Sequence, residues 1–189
     1  MNLPNKLTIS RIIMIPLLIA VYLLRSLLPN AYLWVMGIIF LVASLTDYFD
    51  GAIARKRNIV TTFGKFMDPL ADKLLVLTAL LILSDNYFYQ AQMWMPFWFV
   101  VIILARELIV TSIRLVAVGE GKIIAASSLG KFKTGSTMVA ILWYLFLMGL
   151  NIAWINVIGW ALMGIALLFT IISGFDYFWK NRKLIFESI

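Results

Sequence analysis

Six long apolar runs dominate the sequence and limit the folds that are open to it. They cover approximately residues 12–28, 32–54, 66–83, 95–118, 134–150 and 155–178. Each is close to the ~20 residues that a helix needs to cross the hydrocarbon core of a bilayer. A segment in lipid must satisfy its own backbone hydrogen bonds, so helices are expected. The pattern predicts an all-α, polytopic membrane protein with six transmembrane helices, in a single domain over residues 1–189.

The composition agrees with this interpretation. Hydrophobic residues make up 63% of the 189 residues and charged residues 13%, whereas about a quarter of the residues of a soluble domain are charged. A soluble fold would have too little polar surface to cover its core. Lys6 and Arg11 before the first run resemble the start of a signal peptide, but no small-residue cleavage site follows, so we keep this run as a mature span.

The basic residues predict an orientation. Lys and Arg are concentrated in both termini and in alternate connections between the runs, while the opposite connections carry only Arg25. This bias predicts that both termini lie in the cytoplasm. The expected location is the plasma or inner membrane, as a multi-pass protein. Trp34, Trp94, Trp98 and Trp154 would fall near the opposite interface, although plain packing explains them equally well. A net charge of +7 scattered between spans fits anionic membrane lipids, and no nucleic-acid partner is expected.

The absence of cysteine and histidine restricts the chemistry. It excludes disulfides, thiolate nucleophiles, Ser-His-Asp triads and zinc sites built on imidazole or thiolate. Acid–base or metal chemistry must therefore use carboxylates, lysine, tyrosine or hydroxyls. Carboxylates favour hard cations such as Mg²⁺, Mn²⁺ or Ca²⁺.

The acidic residues are concentrated around the connection between the second and third runs. Four of the nine lie there: Asp47, Asp50, Asp68 and Asp72. The members of each pair are three or four residues apart, so they would share one face of a helix. Gly51 and Ala54 fall on the face of the first pair and leave room for a bulky ligand. Gly64 and Pro69 suit a turn that enters the third helix.

Four carboxylates in a small space repel one another unless a divalent cation neutralises them. Paired hard metal ions suit displacement at phosphorus, because they neutralise both the entering and the leaving oxygen. Arg55 and Lys65 lie nearby and are suited to a phosphate or a nucleotide. Carboxylate clusters in membranes also serve proton or cation transport. On the residues alone, phosphoryl chemistry on a lipid and ion transport both remain open.

The same stretch fits the pattern D-x2-D-G-x2-A-R-x8-G-x3-D-x3-D without a departure. Its fixed positions are Asp47, Asp50, Gly51, Ala54, Arg55, Gly64, Asp68 and Asp72. In these residues the chain resembles the CDP-alcohol phosphotransferase family. The resemblance implies a six-helix, usually homodimeric membrane enzyme that transfers a phosphatidyl group from CDP-diacylglycerol to an alcohol and releases CMP.

The resemblance also implies roles for individual residues. Asp47, Asp50, Asp68 and Asp72 would hold two Mg²⁺ or Mn²⁺ ions, and Asp72 would also act as the general base. The positions expected to bind CDP-diacylglycerol, some from the motif and some from its surroundings, are Asn5, Thr8, Gly51, Ala54, Arg55, Thr61 and Lys65. The extension to Asn5 and Thr8 is looser, because either would equally suit a helix cap.

The fourth and fifth runs carry cations suited to a phosphorylated acceptor. Arg106 and Arg114 lie along one side of the fourth run, and Lys131 and Lys133 precede the fifth. The positive-inside bias would also account for the two lysines. Snorkelling to the interface is the alternative for the two arginines, although Arg106 lies too deep to reach the interface easily. Glu107 is expected to pair with a cation of a neighbouring segment.

Further matches point to one group within the family. The segments PN-x-LT-x-x-R, DPLADK, ARE-x-x-VT-x-x-R and GK-x-KT resemble the members whose acceptor is sn-glycerol 3-phosphate. The same chemistry on inositol phosphate or serine, and a small cation or proton transporter, are the alternatives. Asp176 and Lys180 are expected to form a local i,i+4 pair without a role in the chemistry.

Overall fold

The computed structural model describes residues 3–29, 31–57, 62–85, 95–119, 128–150 and 152–182. Within these ranges it describes side chains except those of residues 3–7, 47–57, 62–66, 68, 69, 115, 118, 119, 128 and 148. All regular structure in these ranges is helical, and they contain no β-strand. The prediction of an all-α protein is confirmed to this extent.

Six α-helices follow one another along the described chain. They are α1 (Leu3–Leu23), α2 (Tyr32–Arg57), α3 (Thr62–Leu83), α4 (Phe97–Gly119), α5 (Ser128–Leu147) and α6 (Ala153–Lys180). Short 3-10 turns at Arg25–Leu27 and Met148–Leu150 follow α1 and α5. Each α-helix overlaps one of the six predicted apolar runs.

Two local expectations at helix starts are wrong. Helix α1 begins at Leu3, so Asn5 and Thr8 lie inside it and neither caps its start. Helix α3 begins at Thr62, so Gly64 and Pro69 lie inside the helix instead of in a turn before it. The reason is that an apolar run marks the part of a helix with buried or lipid-facing side chains, whereas the backbone hydrogen bonds continue into polar turns beyond the run.

The helices pack around one continuous core. Helix α1 lies against α2 and α3, α5 lies against α2 and α6, and α4 lies against α6. Every helix contributes buried apolar side chains to this core, for example Leu18, Phe40, Leu75, Ile103, Tyr144 and Ala166. A Cβ atom at Gly37 would lie 2.7 Å from the ring of Phe146. The absence of a side chain at Gly37 therefore lets α2 approach α5 closely.

The outer faces of the helices are apolar. On α6 the exposed side chains include Val157, Leu168, Ile171 and Phe175, while the buried residues include Gly159 and Ser173. Large apolar faces of this kind are rare on soluble monomers and fit contact with lipid. Among the described helices, α6 alone is both long enough and apolar enough by composition to cross a bilayer.

Candidate active site

A small cavity beside Asp72 is lined by polar side chains from three helices. It lies between α3, α4 and α5 and has a volume of about 30 Å³. Its polar lining consists of Asp72, Lys73, Glu107, Lys133, Thr134 and Thr137. Val76, Leu77 and Ile103 complete the wall. The space suits a water molecule or one end of a small anion.

Helical spacing explains why these residues meet. On α3, Lys73, Val76 and Leu77 are three and four residues apart and therefore form one stripe. Lys133 and Thr137 have the same relation on α5. The cavity lies where the stripes of three packed helices converge. The local sequence determines which residues form each stripe, and the packing of the helices brings the stripes together.

Glu107 is the centre of a buried ion-pair network. Its Oε1 accepts hydrogen bonds from Arg106 Nη1 at 2.8 Å and from Lys133 Nζ at 2.7 Å. Arg106 Nη2 donates to Ser173 Oγ on α6 at 3.0 Å. The predicted pairing of Glu107 with a cation of a neighbouring segment is confirmed. Because Lys133 is only 4% exposed, it needs this carboxylate, and the network ties α4 to α5 and α6.

Arg106 points into the bundle instead of reaching for the interface. Its Nε is buried and has no hydrogen-bond partner within the described part of the chain. A Cβ atom at Gly174 would lie 3.0 Å from Arg106 Cγ, so the glycine makes room for the arginine stem. A buried N–H without a partner is uncommon in folded proteins and is a natural position for a ligand oxygen.

Arg114 and Lys131 lie apart from the Glu107 network. Arg114 Nε donates to Tyr177 Oη at 3.3 Å, and its guanidinium lies 5.6 Å from the centre of that ring. Lys131 borders a different space, an open groove of about 520 Å³ that also contains Phe132 and Phe169. Lys131 and Lys133 are two residues apart on α5, so they leave the helix on nearly opposite sides. The structure thus brings together Arg106 and Lys133 of the four predicted acceptor-binding residues.

The four aspartates occupy two packed helices. Helix α2 runs through positions 47 and 50, helix α3 runs through positions 68 and 72, and the two helices are in contact. Among the described side chains there is no group of three or more acidic metal ligands, and three of the four aspartates lie outside that set. A donor set made of carboxylates has the chemistry that hard divalent cations require.

Most positions predicted for CDP-diacylglycerol and metal lie outside the described side chains. These are Asn5, Asp47, Asp50, Gly51, Ala54, Arg55, Lys65 and Asp68, together with the whole of Thr61. Thr8 is described, and it is buried with 1% of its surface exposed. The pairing of Asp176 with Lys180 is confirmed as a local i,i+4 contact of 2.8 Å.

Lys73 lines the cavity although the sequence patterns assigned it no role. Its Nζ donates to Thr111 Oγ1 on α4. Thr111 Oγ1 in turn donates to the backbone oxygen of Glu107 at 2.7 Å. A signal for Lys73 was present in the sequence, since it is a cation inside an apolar run, directly after Asp72, and such charges are costly in a membrane unless they serve a function.

Comparison with known proteins extends over nearly the whole chain. Residues 1–172 match the model of the family described as CDP-alcohol phosphatidyltransferase. A Bacillus subtilis protein named CDP-diacylglycerol–glycerol-3-phosphate 3-phosphatidyltransferase is 42% identical, and the match covers 99% of this chain and 98% of that protein. Proteins of the same name from Rickettsia typhi and Salmonella choleraesuis are 39% and 36% identical, with coverage of 94% and 93% of this chain and 95% and 92% of theirs.

The family match agrees with the spacing of the aspartates, with the helical architecture and with the polar cavity beside Asp72. It covers far more than half of the chain, and the relatives are similar over almost their full lengths. The chain belongs to the CDP-alcohol phosphatidyltransferase family.

Proposed function

We propose that this protein transfers the phosphatidyl group of CDP-diacylglycerol to sn-glycerol 3-phosphate, giving phosphatidylglycerophosphate and CMP. The observation that carries the proposal is the cavity in which Asp72 lies beside Lys133 and its partner Glu107. A base and a buried cation in one space suit an acceptor that has a hydroxyl at one end and a phosphate at the other. The names of the full-length relatives support the same substrates.

In this proposal the oxygen of the acceptor hydroxyl attacks the phosphorus that carries diacylglycerol, and Asp72 takes the proton of that hydroxyl. A carboxylate is a weak base towards an alcohol, so placement of the two reactants contributes most of the rate enhancement. CMP leaves as the new phosphodiester bond forms.

Asp47, Asp50, Asp68 and Asp72 would hold two Mg²⁺ or Mn²⁺ ions. When bound, such ions neutralise the charge that develops on the diphosphate of the donor. Gly51 and Ala54 leave space for the nucleotide in this scheme. Arg55, Lys65, Thr61, Asn5 and Thr8 complete the proposed donor site.

The acceptor phosphate is assigned to the cations of α4 and α5. Arg106 and Lys133 are the central pair, because both reach Glu107 and Arg106 carries the unpaired Nε. Arg114 and Lys131 remain in the proposed set at its periphery. Charge-assisted hydrogen bonds to phosphate are among the stronger polar contacts in proteins.

We also infer that the chain is a single domain with six membrane spans, cytoplasmic termini and an active site that faces the cytoplasm of the plasma or inner membrane. Exposed tryptophans support this topology. Trp34, Trp98 and Trp154 lie at the starts of α2, α4 and α6 and are 49%, 46% and 60% exposed. These helix starts would meet at the outer interface, where tryptophan is enriched. A homodimer is part of the same proposal.

The test is an assay of the purified protein with CDP-diacylglycerol, Mg²⁺ and one acceptor at a time, measured by CMP release. We expect release with sn-glycerol 3-phosphate and no release when Asp72→Asn replaces the native chain. Asp176→Asn is the matched control, because Asp176 pairs with Lys180 at the surface, and it should keep its activity. Release with inositol phosphate or serine alone would reject the acceptor and keep the reaction class.

Ion transport, the alternative left open by the residues, would need polar groups along a path through the bundle. Residues 97–105 of α4, which precede Arg106, are entirely apolar. The described geometry therefore favours chemistry at one end of the bundle.

A further inference from the structure

We propose that Lys73 is an acceptor-binding residue that supplies the second ammonium group for the phosphate of the acceptor. The inference rests on the proposed function and adds to the acceptor site a residue outside α4 and α5, the two helices that carry the acceptor cations proposed above. Lys73 and Lys133 line the same cavity from α3 and α5. Asp72, the proposed base, lines it from the same helix as Lys73.

Lys73 occupies a costly position for a cation. It is half-buried inside α3, within an apolar run. A cation in such a place normally has a functional partner. Because Lys73 directly follows Asp72 on α3, the helix holds the backbone positions of the proposed base and of the lysine at a fixed separation.

The contacts of Lys73 orient its ammonium group. Within the described side chains, Glu107 forms ion pairs with Arg106 and Lys133 through one oxygen. The hydrogen bond of Lys73 goes to the neutral hydroxyl of Thr111. That hydroxyl is itself oriented, because it donates to the backbone oxygen of Glu107. Thr111 thus holds the ammonium in place without neutralising its charge.

The cations around the cavity suit an anion. Lys73 and Lys133 line the cavity together with the carboxylates of Asp72 and Glu107, and Arg106 joins them through Glu107. These five groups carry one net positive charge. The two ammonium groups of the lining are the groups that a phosphate monoester, with about two negative charges near neutral pH, would contact. The cavity is too small for a whole acceptor, so the phosphate would bind at its mouth, with an oxygen directed between the two lysines.

A competing explanation is that Lys73 only clasps α3 to α4 through Thr111. The two roles differ in what they predict. A purely structural contact between Lys73 and Thr111 contributes to stability, and removing either residue should lower the stability equally. An acceptor-binding cation changes affinity for the phosphorylated acceptor and leaves affinity for the lipid donor unchanged.

The experiment compares Lys73→Gln, Lys73→Arg and Thr111→Val with the native chain in detergent micelles. Lys180→Gln is the matched control, because Lys180 is an exposed lysine paired with Asp176 away from the cavity. KM is measured for sn-glycerol 3-phosphate and for CDP-diacylglycerol. Direct binding of sn-glycerol 3-phosphate and of inorganic phosphate is measured by calorimetry, and Tm gives the stability.

Lys73→Gln should raise KM for sn-glycerol 3-phosphate about ten-fold or more, the effect expected for one lost charge-assisted hydrogen bond. It should weaken binding of inorganic phosphate similarly and change KM for CDP-diacylglycerol less than about two-fold. Lys73→Arg should recover part of the affinity, and Thr111→Val should have a smaller effect on KM. Lys180→Gln should leave both KM values and the binding of inorganic phosphate unchanged.

Equal losses of Tm in Lys73→Gln and Thr111→Val, with unchanged acceptor KM and phosphate binding, would overturn the inference in favour of the clasp. If Lys73→Gln does not fold, Lys73→Arg is compared with Thr111→Val for the same quantities, since only Lys73→Arg changes the cation at position 73. Equal losses of Tm, with unchanged acceptor KM and phosphate binding, would again favour the clasp. A native chain that releases no CMP with sn-glycerol 3-phosphate refutes the proposed function itself. If the native chain is active and Lys73→Gln has unchanged acceptor KM and phosphate binding, only the role of Lys73 is refuted.

Discussion

At the scale of single residues, one carboxylate organises the described part of the site. Glu107 Oε1 accepts hydrogen bonds from two cations on different helices, Arg106 at 2.8 Å and Lys133 at 2.7 Å. Lys133 is almost fully buried. Two cations side by side in a poorly solvated space would repel each other, so Glu107 holds them together as a pair that can receive an anion.

Glu107→Gln should therefore destabilise the protein. The amide keeps the shape of the side chain but leaves Lys133 buried without a counter-ion, and the loss of one partner of a buried pair costs about 3 kcal/mol in the free energy of unfolding. The measurement is chemical unfolding in micelles followed by tryptophan fluorescence. Asp176→Asn, which removes an exposed pair with Lys180, should cost less than about 0.5 kcal/mol.

A double-mutant cycle separates the ion pair from other effects of the substitution. Glu107→Gln should cost less when Lys133→Met is already present, because only Arg106 of the two paired cations then loses its carboxylate. Additive effects of the two substitutions would contradict the account of Glu107 as the counter-ion of Lys133.

At the scale of the helices, small residues decide how closely the elements approach. Gly37 on α2 faces the ring of Phe146 on α5, and a Cβ atom at this position would lie only 2.7 Å from that ring. Gly174 on α6 similarly faces the stem of Arg106. Close approach through small residues is a common way for helices to associate in membranes, where the hydrophobic effect does not drive helix against helix.

Gly37→Ala should destabilise the contact between α2 and α5. The added methyl group would overlap the Phe146 ring, and overpacking of this kind costs about 1–3 kcal/mol. Gly164→Ala on α6 is the matched control, because a Cβ atom there meets nothing within 4 Å. The difference in unfolding free energy between the two variants should be about 2 kcal/mol, and equal stabilities would show that the ring moves aside at no cost.

At the scale of the whole molecule, the proposed topology places the cavity at the cytoplasmic end of the bundle. On α4, Arg106 and Glu107 lie near the middle and Arg114 lies in the second half, while Asp176 and Lys180 lie near the end of α6. Arg106 meets Ser173 and Arg114 meets Tyr177. Exposed tryptophans lie near both ends of α6, Trp154 at its start and Trp179 close to its last residue, as expected for the two interfaces of a membrane.

The lack of cysteine makes this topology directly testable, since single cysteines can be introduced into the natural chain. Ser84→Cys lies just after α3, on the proposed outer side, and Lys180→Cys lies at the end of α6, on the proposed cytoplasmic side. A membrane-impermeant maleimide added to intact cells should label Ser84→Cys only. Lys180→Cys should react only after the membrane is opened. The reverse pattern would invert the proposed orientation.

Much of this protein could be predicted from short-range patterns. The apolar runs indicated six helices because hydrophobic runs of this length are longer than strands and are typical of helices. The spacing of the aspartates indicated the family, which the family match confirms. Boundaries were less accurate: α1 and α3 begin several residues earlier than the apolar runs, since backbone hydrogen bonding does not depend on apolar side chains.

The sequence by itself therefore determined the helical class and the family, because both depend on residues close together in the chain. Only the tertiary structure decided which cations share a space. It paired Lys133 with Glu107 across 26 positions, directed Lys131 into a different groove and brought Lys73 beside Thr111. The reason is physical: which side of a helix faces which neighbour depends on the packing of the whole bundle, and buried charges are satisfied by partners that are distant in sequence.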